Sequence, residues 1–199
     1  MTVYRIGPLD AAVDAAAFHC GQAALDEYFR RYASQDVRRN LTRVFVASPA
    51  GDSRRLAGYF TLSAGSVGCS DLPASLARKL PRYPVPVALI GRLAVDSEFQ
   101  RKGLGAILVA DACRKVVQVS AVLAVGGIVV DAKDASAARF CAHFGFVPMP
   151  GQSSRLRGYR AIGYARGEAP LGYAEPADEV TVEHDEDVLR SLKELDDFM

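Results

Sequence analysis

The chain has 199 residues, of which half are hydrophobic and 24% are charged, and its formal net charge is +1. These values are typical of ordinary soluble globular proteins, and the length suits one domain. No apolar run approaches the roughly 20 residues that cross a bilayer, and the start of the chain lacks the features of a signal peptide. We therefore expect a cytoplasmic protein with no membrane partner.

The small net charge conceals a strong asymmetry along the chain. Residues 175–199 carry a net charge of −8, whereas residues 1–174 carry +9. A basic body favours a polyanionic partner, although a solvated basic face explains the charge alone equally well. The clusters that would touch such a partner are Arg30-Arg31, Arg38-Arg39, Arg54-Arg55 and residues 155–160.

The four cysteines have neither Cys-x-x-Cys spacing nor histidine partners at ligand distance. They are expected to be free thiols, three of them in the core, and a metal site is not expected. The cysteines are Cys20, Cys69, Cys113 and Cys141.

Hydrophobic periodicity and turn residues predict strands and helices that alternate over most of the chain. In chain order they are a strand at Val3–Ile6, an amphipathic helix at Gln22–Asn40, strands at Thr42–Ala47 and Leu56–Ala64, a short helix at Leu72–Leu80, a strand at Val87–Val95, a helix at Gly103–Val119, a strand at Gly127–Asp131, a helix at Ser136–His143 and a last strand at Gly158–Ala165. This order predicts an α/β fold with one mixed sheet and helices on its faces. Residues 167–199 read as a linker and an acidic tail, which is either disordered or a short helix at Val188–Phe198.

The most informative stretch is the turn between the apolar strand and the helix that follows it. It reads Gln100-Arg101-Lys102-Gly103-Leu104-Gly105-Ala106. The first amides of a helix are unpaired and the helix dipole favours anions there, while glycines let a ligand approach the backbone. The strand, turn and helix together predict a phosphate-binding site.

Two common phosphate-binding motifs do not fit this turn. A Walker loop needs Lys-Ser/Thr after its second glycine, and a dinucleotide fingerprint needs Gly or Ala at position 108. This chain has Leu104 after Gly103 and Leu108 at the later position. The pattern that remains is Gln/Arg-x-x-Gly-x-Gly/Ala, a pyrophosphate loop.

That loop, preceded by Leu93-Ala94-Val95-Asp96, resembles the acetyl-CoA loop of the GNAT superfamily of N-acetyltransferases. The resemblance covers roughly residues 3–165 and is strongest to the acetyltransferase toxins of bacterial toxin–antitoxin pairs. Segments that carry it include Phe18-His19-Cys20-Gly21, Thr42–Val46, Gly58–Val67, Gly91–Asp96 and Phe140–Phe146. It implies a GNAT domain at 1–166, with a mostly antiparallel sheet, followed by the tail at 167–199.

The resemblance implies which residues bind the donor and what the reaction is. Acetyl-CoA would be held by Leu93, Ala94, Val95, Gln100, Arg101, Lys102, Gly103, Leu104, Gly105 and Ala106. Such toxins acetylate the α-amine of aminoacyl-tRNA, which blocks translation, and they are commonly homodimers neutralised by an antitoxin. The alternatives are a GNAT enzyme that acetylates a small amine or a protein lysine, and a weakly active or inactive relative that binds CoA.

The chain departs from the toxin pattern at one position. The toxins usually have Phe-Tyr-x-x-Phe-Gly-Phe, whose Tyr is taken to protonate the CoA thiolate, and here Cys141 occupies the Tyr position. Cys141 is the candidate catalytic acid, since one thiol has a pKa near that of another. The thiolate could instead leave through water, or the chain could be inactive. His143 is expected on the surface.

Two arginines are candidate substrate contacts. Arg92 interrupts an apolar strand, where a charge is costly unless it is paired or lies at the mouth of a site. This favours a substrate role for Arg92, whereas Arg43 is expected to be structural or solvated.

Overall fold

The structure is a computed structural model, and it describes residues 3–78, 82–150 and 156–162. Its helices are α1 (Ala23–Arg31), α2 (Ala33–Arg38), α3 (Ala74–Ala77), α4 (Leu104–Val119) and α5 (Ala135–His143). Its strands are β1 (Tyr4–Pro8), β2 (Arg43–Pro49), β3 (Gly58–Val67), β4 (Val85–Val95), β5 (Gly127–Ala132), β6 (Val147–Pro148) and β7 (Leu156–Ala161). Short 3₁₀ turns lie at Cys69–Asp71 and Ser97–Phe99.

The seven strands form one sheet in the order β1-β2-β3-β4-β5-β7-β6. β4 and β5 are parallel, with Val87 opposite Gly127, whereas β1–β2, β5–β7 and β6–β7 are antiparallel. The crossover between the two parallel strands is made by α4, as a parallel connection requires. The predicted α/β fold, with a mixed and mostly antiparallel sheet flanked by helices, is confirmed.

The chain divides into two compact units. The described residues of the first unit are 3–61 and 92–111, and those of the second are 62–78, 82–91, 112–150 and 156–162. Strands β3 and β4 contribute residues to both units.

The core of the first unit is built around an aromatic cluster. Phe18, Phe29 and Tyr59 are almost fully buried, and the rings of Phe29 and Tyr59 lie 4.7 Å apart. The Tyr59 hydroxyl donates a hydrogen bond to the Leu25 carbonyl at 2.9 Å, which satisfies its one polar atom. The apolar face of α1 is therefore fixed against β3.

Gly58 is required where β3 meets α4. A Cβ at this position would lie 2.9 Å from the Ala94 carbonyl oxygen and 3.0 Å from the Leu108 side chain. Helix α4, whose first turn carries the pyrophosphate motif, consequently packs closely against this part of the sheet.

The core of the second unit joins β4, β5 and β7. It contains Val85, Val87, Val129 and Tyr159, and the Tyr159 hydroxyl donates to the Gly126 carbonyl at 2.9 Å. Asp134 caps α5, since its side chain accepts a hydrogen bond from the Ala137 amide at 2.8 Å, as its position before the helix predicts.

Several predicted boundaries differ from the structure. The helix predicted over Gln22–Asn40 is two helices, because Tyr32 departs from ideal helical geometry (φ −116°). Ala33, the first residue of α2, is completely buried. The predicted Leu72–Leu80 helix is described only at α3, and the last strand begins before its predicted start and ends before its predicted end. Strand β6 was not predicted, since it has only two residues. The candidate helix at Val188–Phe198 and the linker lie outside the described residues.

Three cysteines were expected in the core, but only one of the four is buried, so the expectation is wrong for two. Cys20 is buried, whereas Cys69, Cys113 and Cys141 are half-buried. All four are free thiols, as expected. Within the described residues, no three His, Cys, Asp or Glu side chains are grouped as a metal site would need, and no helix has the length and apolar character of a membrane span.

Candidate functional site

The turn at 96–103 has the backbone that an anion site needs. Arg101 (φ 58°) and Gly103 (φ 78°) both adopt the left-handed conformation, which turns the chain sharply into α4. The Ala106 and Ile107 amides donate to the Gly103 carbonyl, at 3.1 and 3.2 Å. In the part of the chain that the structure describes, the amides of Gly103, Leu104 and Gly105 have no backbone acceptor. These unpaired donors fit an anionic ligand such as a pyrophosphate.

A hydrogen-bond network around the buried Asp96 carboxylate and the Gln100 side chain holds this turn in place. Asp96 is buried and accepts hydrogen bonds from the amides of His19 and Glu98, each at 3.0 Å. Arg55 bridges Asp96 and Glu98, at 3.3 and 2.7 Å. The Gln100 side chain donates to the carbonyls of Cys20 and Val95, at 3.0 and 2.9 Å. The turn is therefore fixed to the segment that precedes α1.

The predicted donor-binding residues fall into exposed and buried groups. Gln100, Arg101 and Lys102 are exposed. The side chains of Ala94, Leu104 and Ala106 are 4%, 1% and 5% exposed, so these residues could contact a ligand only through their backbone. Leu93, Val95, Gly103 and Gly105 are partly exposed.

The two cations of the turn differ in their surroundings. The Lys102 ammonium donates to the Glu98 carbonyl at 2.7 Å and lies 5.9 Å from the centre of the Phe99 ring. The Arg101 guanidinium has no hydrogen bond or ion pair within the described ranges. The sequence predicted both residues as equivalent ligand contacts and did not reveal this difference.

Arg92 lies on β4 over an aromatic ring. Its guanidinium carbon is 3.6 Å from the centre of the buried Tyr28 ring, and its backbone amide donates to the Thr61 hydroxyl at 3.0 Å. The buried residues of β4 are odd-numbered as far as Val87 and even-numbered from Ile90 onward. The alternation of buried side chains therefore shifts by one residue, as it does at a β-bulge. Burial raises the pKa of Tyr28 to about 12, although Arg92 opposes that shift.

Asp26, at the start of α1, is a further polar residue of this unit, and no role was assigned to it from the sequence. Its side chain is 2% exposed and accepts hydrogen bonds from the Cys20 amide and from His19 Nδ1, both at 2.9 Å. Burial raises the pKa of Asp26, but hydrogen bonds from Cys20 and His19 outweigh burial, so the pKa lies below its ordinary value of 3.8. Hydrophobic periodicity does not reveal a contact between a buried carboxylate and a histidine seven residues away, so the sequence did not predict this pair.

Cys141 lies on α5, in the second unit. The thiol is half-buried, and burial, reinforced by the neighbouring Cys113 thiol, raises the pKa of Cys141 to about 11. His143 is exposed and bonds the Arg139 carbonyl at 2.9 Å, as expected for a surface histidine. Arg43 is also exposed.

Comparisons with known proteins agree with this geometry. Residues 12–146 match the model of the acetyltransferase (GNAT) family. The chain is 37% identical over 139 residues to the tRNA-acetylating toxin of Mycobacterium tuberculosis (strain ATCC 25618 / H37Rv), an alignment that covers 70% of this chain and 81% of the toxin.

Two solved structures show the same fold. AtaT complexed with acetyl-methionyl-tRNAfMet is 28% identical with a TM-score of 0.74, over 79% of this chain and 94% of that one. A point mutant of the AtaT toxin bound to the C-terminus of the antitoxin AtaR and to acetyl-CoA is 27% identical with a TM-score of 0.67, over 79% and 92%. With the family match and the fold in agreement, this chain belongs to the GNAT family of acetyltransferases.

Proposed function

We propose that this chain transfers the acetyl group of acetyl-CoA to the α-amine of aminoacyl-tRNA and thereby blocks translation. Binding of the donor, acetyl-CoA, is supported by the turn at 100–105, where Arg101 and Gly103 adopt the left-handed conformation and backbone amides are unpaired. Aminoacyl-tRNA as the acceptor is supported by the tRNA-acetylating relative and by the tRNA complex of the structural neighbour.

The donor is held mainly by backbone. Residues 101–106 surround the pyrophosphate of acetyl-CoA, and the unpaired amides of Gly103, Leu104 and Gly105 bind it, where the dipole of α4 adds partial positive charge. The backbone amides of Leu93, Ala94 and Val95 polarise the thioester carbonyl, and Gln100 keeps the turn against Val95.

Arg92 contacts the aminoacyl end of the tRNA. Its guanidinium is stacked on Tyr28, so the side chain is held at the surface of β4 with its charge available. A planar arginine held in this way can bind a phosphate or stack against a base, which are the two features that the end of a tRNA offers.

The reaction is a direct attack of the amine on the thioester. An α-amino group has a pKa of about 7.7–8.0, so a good fraction is neutral at the pH of the cell. The N–C bond forms, the C–S bond breaks, and no covalent intermediate with the enzyme is needed. The work of the protein is then to position the two substrates and to stabilise the oxyanion.

Cys141 is a weak proton donor to the departing CoA thiolate. With a pKa of about 11 the thiol keeps its proton throughout the physiological range, so it has one to give. Transfer to an ordinary thiolate, whose acid has a pKa of about 8.5, is nevertheless uphill. Water therefore competes with Cys141, and we expect the loss of this thiol to cost less than the roughly 10²-fold of a well-matched acid.

The same assignment implies partners for the chain. It acts as a homodimer in the cytoplasm, where charged tRNA and acetyl-CoA meet, and an antitoxin inhibits it. The complex of AtaT with the antitoxin AtaR supports the last of these. No metal takes part in the proposed reaction.

Transfer of labelled acetyl groups from acetyl-CoA to a total pool of charged tRNA tests the proposal. We expect labelled tRNA, a loss of less than tenfold in Cys141→Ala, and a higher rate in Cys141→Tyr. Gly103→Val is the binding control, because its side chain is strained at φ 78°, and we expect it to abolish acetyl-CoA binding in calorimetry.

The other outcomes separate the alternatives. Label on a small amine or on protein lysines, but not on tRNA, would identify a different acceptor. Acetyl-CoA binding without transfer to any amine would identify a binding protein. Unchanged binding in a folded Gly103→Val variant would overturn the placement of the donor.

A further inference from the structure

His19 and Asp26 form a dyad that the proposed mechanism does not yet use. His19 Nδ1 lies 2.9 Å from Asp26 Oδ2, and the side chains are 69% and 2% exposed. The other carboxylate oxygen of Asp26 is occupied by the Cys20 amide at 2.9 Å. A carboxylate fixed in this way holds Nδ1 as the protonated nitrogen, so the lone pair of the imidazole is on Nε2.

The dyad is attached to the end of β4 by backbone hydrogen bonds. The His19 amide donates to Asp96 Oδ2 at 3.0 Å, and the Ser97 amide donates to the His19 carbonyl at 2.9 Å. The side-chain nitrogen of Gln100 donates to the carbonyl oxygens of both Cys20 and Val95, at 3.0 and 2.9 Å. Because both oxygens contact the same nitrogen, the backbones of Cys20 and Val95 lie close together. His19 therefore flanks residues 95–97, next to the amides assigned to the thioester.

Nothing in the described part of the chain engages the free nitrogen of this imidazole. Nε2 of His19 has no hydrogen-bond partner there, although the ring is largely exposed. A histidine oriented by a buried carboxylate, with its second nitrogen unengaged, is the arrangement of a general base.

We propose that His19 is the general base of the acetyl transfer and that Asp26 orients it. As the amine nitrogen bonds to the thioester carbon, His19 Nε2 takes the proton that this nitrogen loses. The C–S bond then breaks, CoA leaves as a thiolate and takes up a proton, and His19 releases its own proton to solvent. The proposal rests on the proposed function, but it applies to any amine acceptor.

The charges around His19 come from three segments. Asp26 on α1 and Asp96 after β4 are acidic, and each is matched by an arginine: Arg30 lies 3.8 Å from Asp26 and Arg55 lies 3.3 Å from Asp96. The adjacent Cys20 thiol is neutral, because burial and its hydrogen bond with Asp26 raise the pKa of Cys20 to about 11. The imidazole of His19 is therefore flanked by two carboxylates that are each paired with an arginine, and by a neutral thiol.

His19→Gln tests the proposal, with His143→Gln as its matched control on the exposed histidine of α5. In His19→Gln we expect kcat to fall about 10²-fold or more, with the KM for acetyl-CoA unchanged. His143→Gln should behave as the wild type. In His19→Gly, added imidazole should restore part of the rate, since the 69% exposed ring leaves an open position.

The wild type is assayed first, on charged tRNA and on small amines. Acetylation of an amine other than charged tRNA would overturn the tRNA assignment alone, and the histidine variants are then measured on that amine. A kcat within about threefold of the wild type in His19→Gln would overturn the base while leaving the proposed function intact. A wild type that acetylates nothing overturns both.

Discussion

The turn before α4 contains two adjacent cations, Arg101 and Lys102, whose surroundings differ. Lys102 is bound to the Glu98 carbonyl at 2.7 Å, so its ammonium stabilises the 3₁₀ turn that precedes it. Arg101 is exposed and unengaged within the described residues. It also adopts a positive φ that a non-glycine residue rarely takes, so the turn holds it in a costly conformation.

We therefore expect Arg101→Ala to raise the KM for acetyl-CoA roughly tenfold, the effect of losing one charge-assisted contact to a phosphate. Lys102→Ala should raise it by less than about threefold and should instead lower the melting temperature. Steady-state kinetics with acetyl-CoA as the varied substrate, together with thermal unfolding, measure both effects. Equal effects of the two substitutions on KM would show that Lys102 leaves Glu98 to bind the donor.

The sequence revealed Gly103 and the turn but not the residues that hold the turn in place. A strand, a glycine turn and a helix are local, so their spacing is visible in the sequence. The bridge from Arg55 to Asp96 and the contact of His19 with Asp26 depend on the packing of the chain. Such contacts carry no periodicity, and this is why the dyad was not predicted.

At the scale of elements, α1 is joined to the preceding segment by a single buried carboxylate. Asp26 accepts hydrogen bonds from the Cys20 amide and His19, and the Arg30 side chain donates to the Asp26 carbonyl at 3.1 Å. The pKa of Asp26 is lowered, so its contribution to stability is present above its ordinary value of 3.8 and is lost as the pH falls through the lower value of the folded state.

Asp26→Asn should therefore destabilise the protein at pH 7 by roughly 1–3 kcal/mol. Below about pH 4 the wild type should lose stability more steeply than the variant, so the two curves converge. Urea unfolding at a series of pH values measures this. Glu27→Gln is the control, since among the described residues the carboxylate of Glu27 pairs only with the exposed Arg31, and it should follow the wild type. Parallel curves for wild type and Asp26→Asn would contradict the assignment.

The elements with strong periodicity were predicted within a few residues, whereas those set by packing were not. α4 and β5 are continuous and apolar, so their limits follow from the sequence alone. The first predicted helix breaks at Tyr32, beside the fully buried Ala33, and no change in the hydrophobic periodicity of the sequence marks this position. β6 exists only because two residues pair with β7, so no local pattern marks it.

At the scale of the whole molecule, the body and the tail carry opposite charges, and we expect both to affect the proposed binding of tRNA. Residues 1–174 carry +9 and residues 175–199 carry −8, so removing the tail changes the net charge from +1 to +9. Binding of a polyanion to a basic protein releases counterions, and a tethered polyanion competes for the same cations. The tail should therefore weaken tRNA binding, and salt should screen this effect.

Deletion of residues 175–199 should increase tRNA affinity at least threefold at about 50 mM salt, and the gain should disappear near 0.5 M, where the Debye length is about 4 Å. Filter binding over a salt series measures it. The control is a chain of unchanged length in which the ten acids and the two bases of this segment are replaced by Asn and Gln, which removes the charge of the segment but keeps its length. If charge is the cause, this chain should match the truncated one. If truncation leaves the affinity for tRNA unchanged at low salt, the tail does not mask the tRNA site. If the affinity rises in the truncated chain but not in the chain with the neutral tail, the tail masks the site by its size and not by its charge.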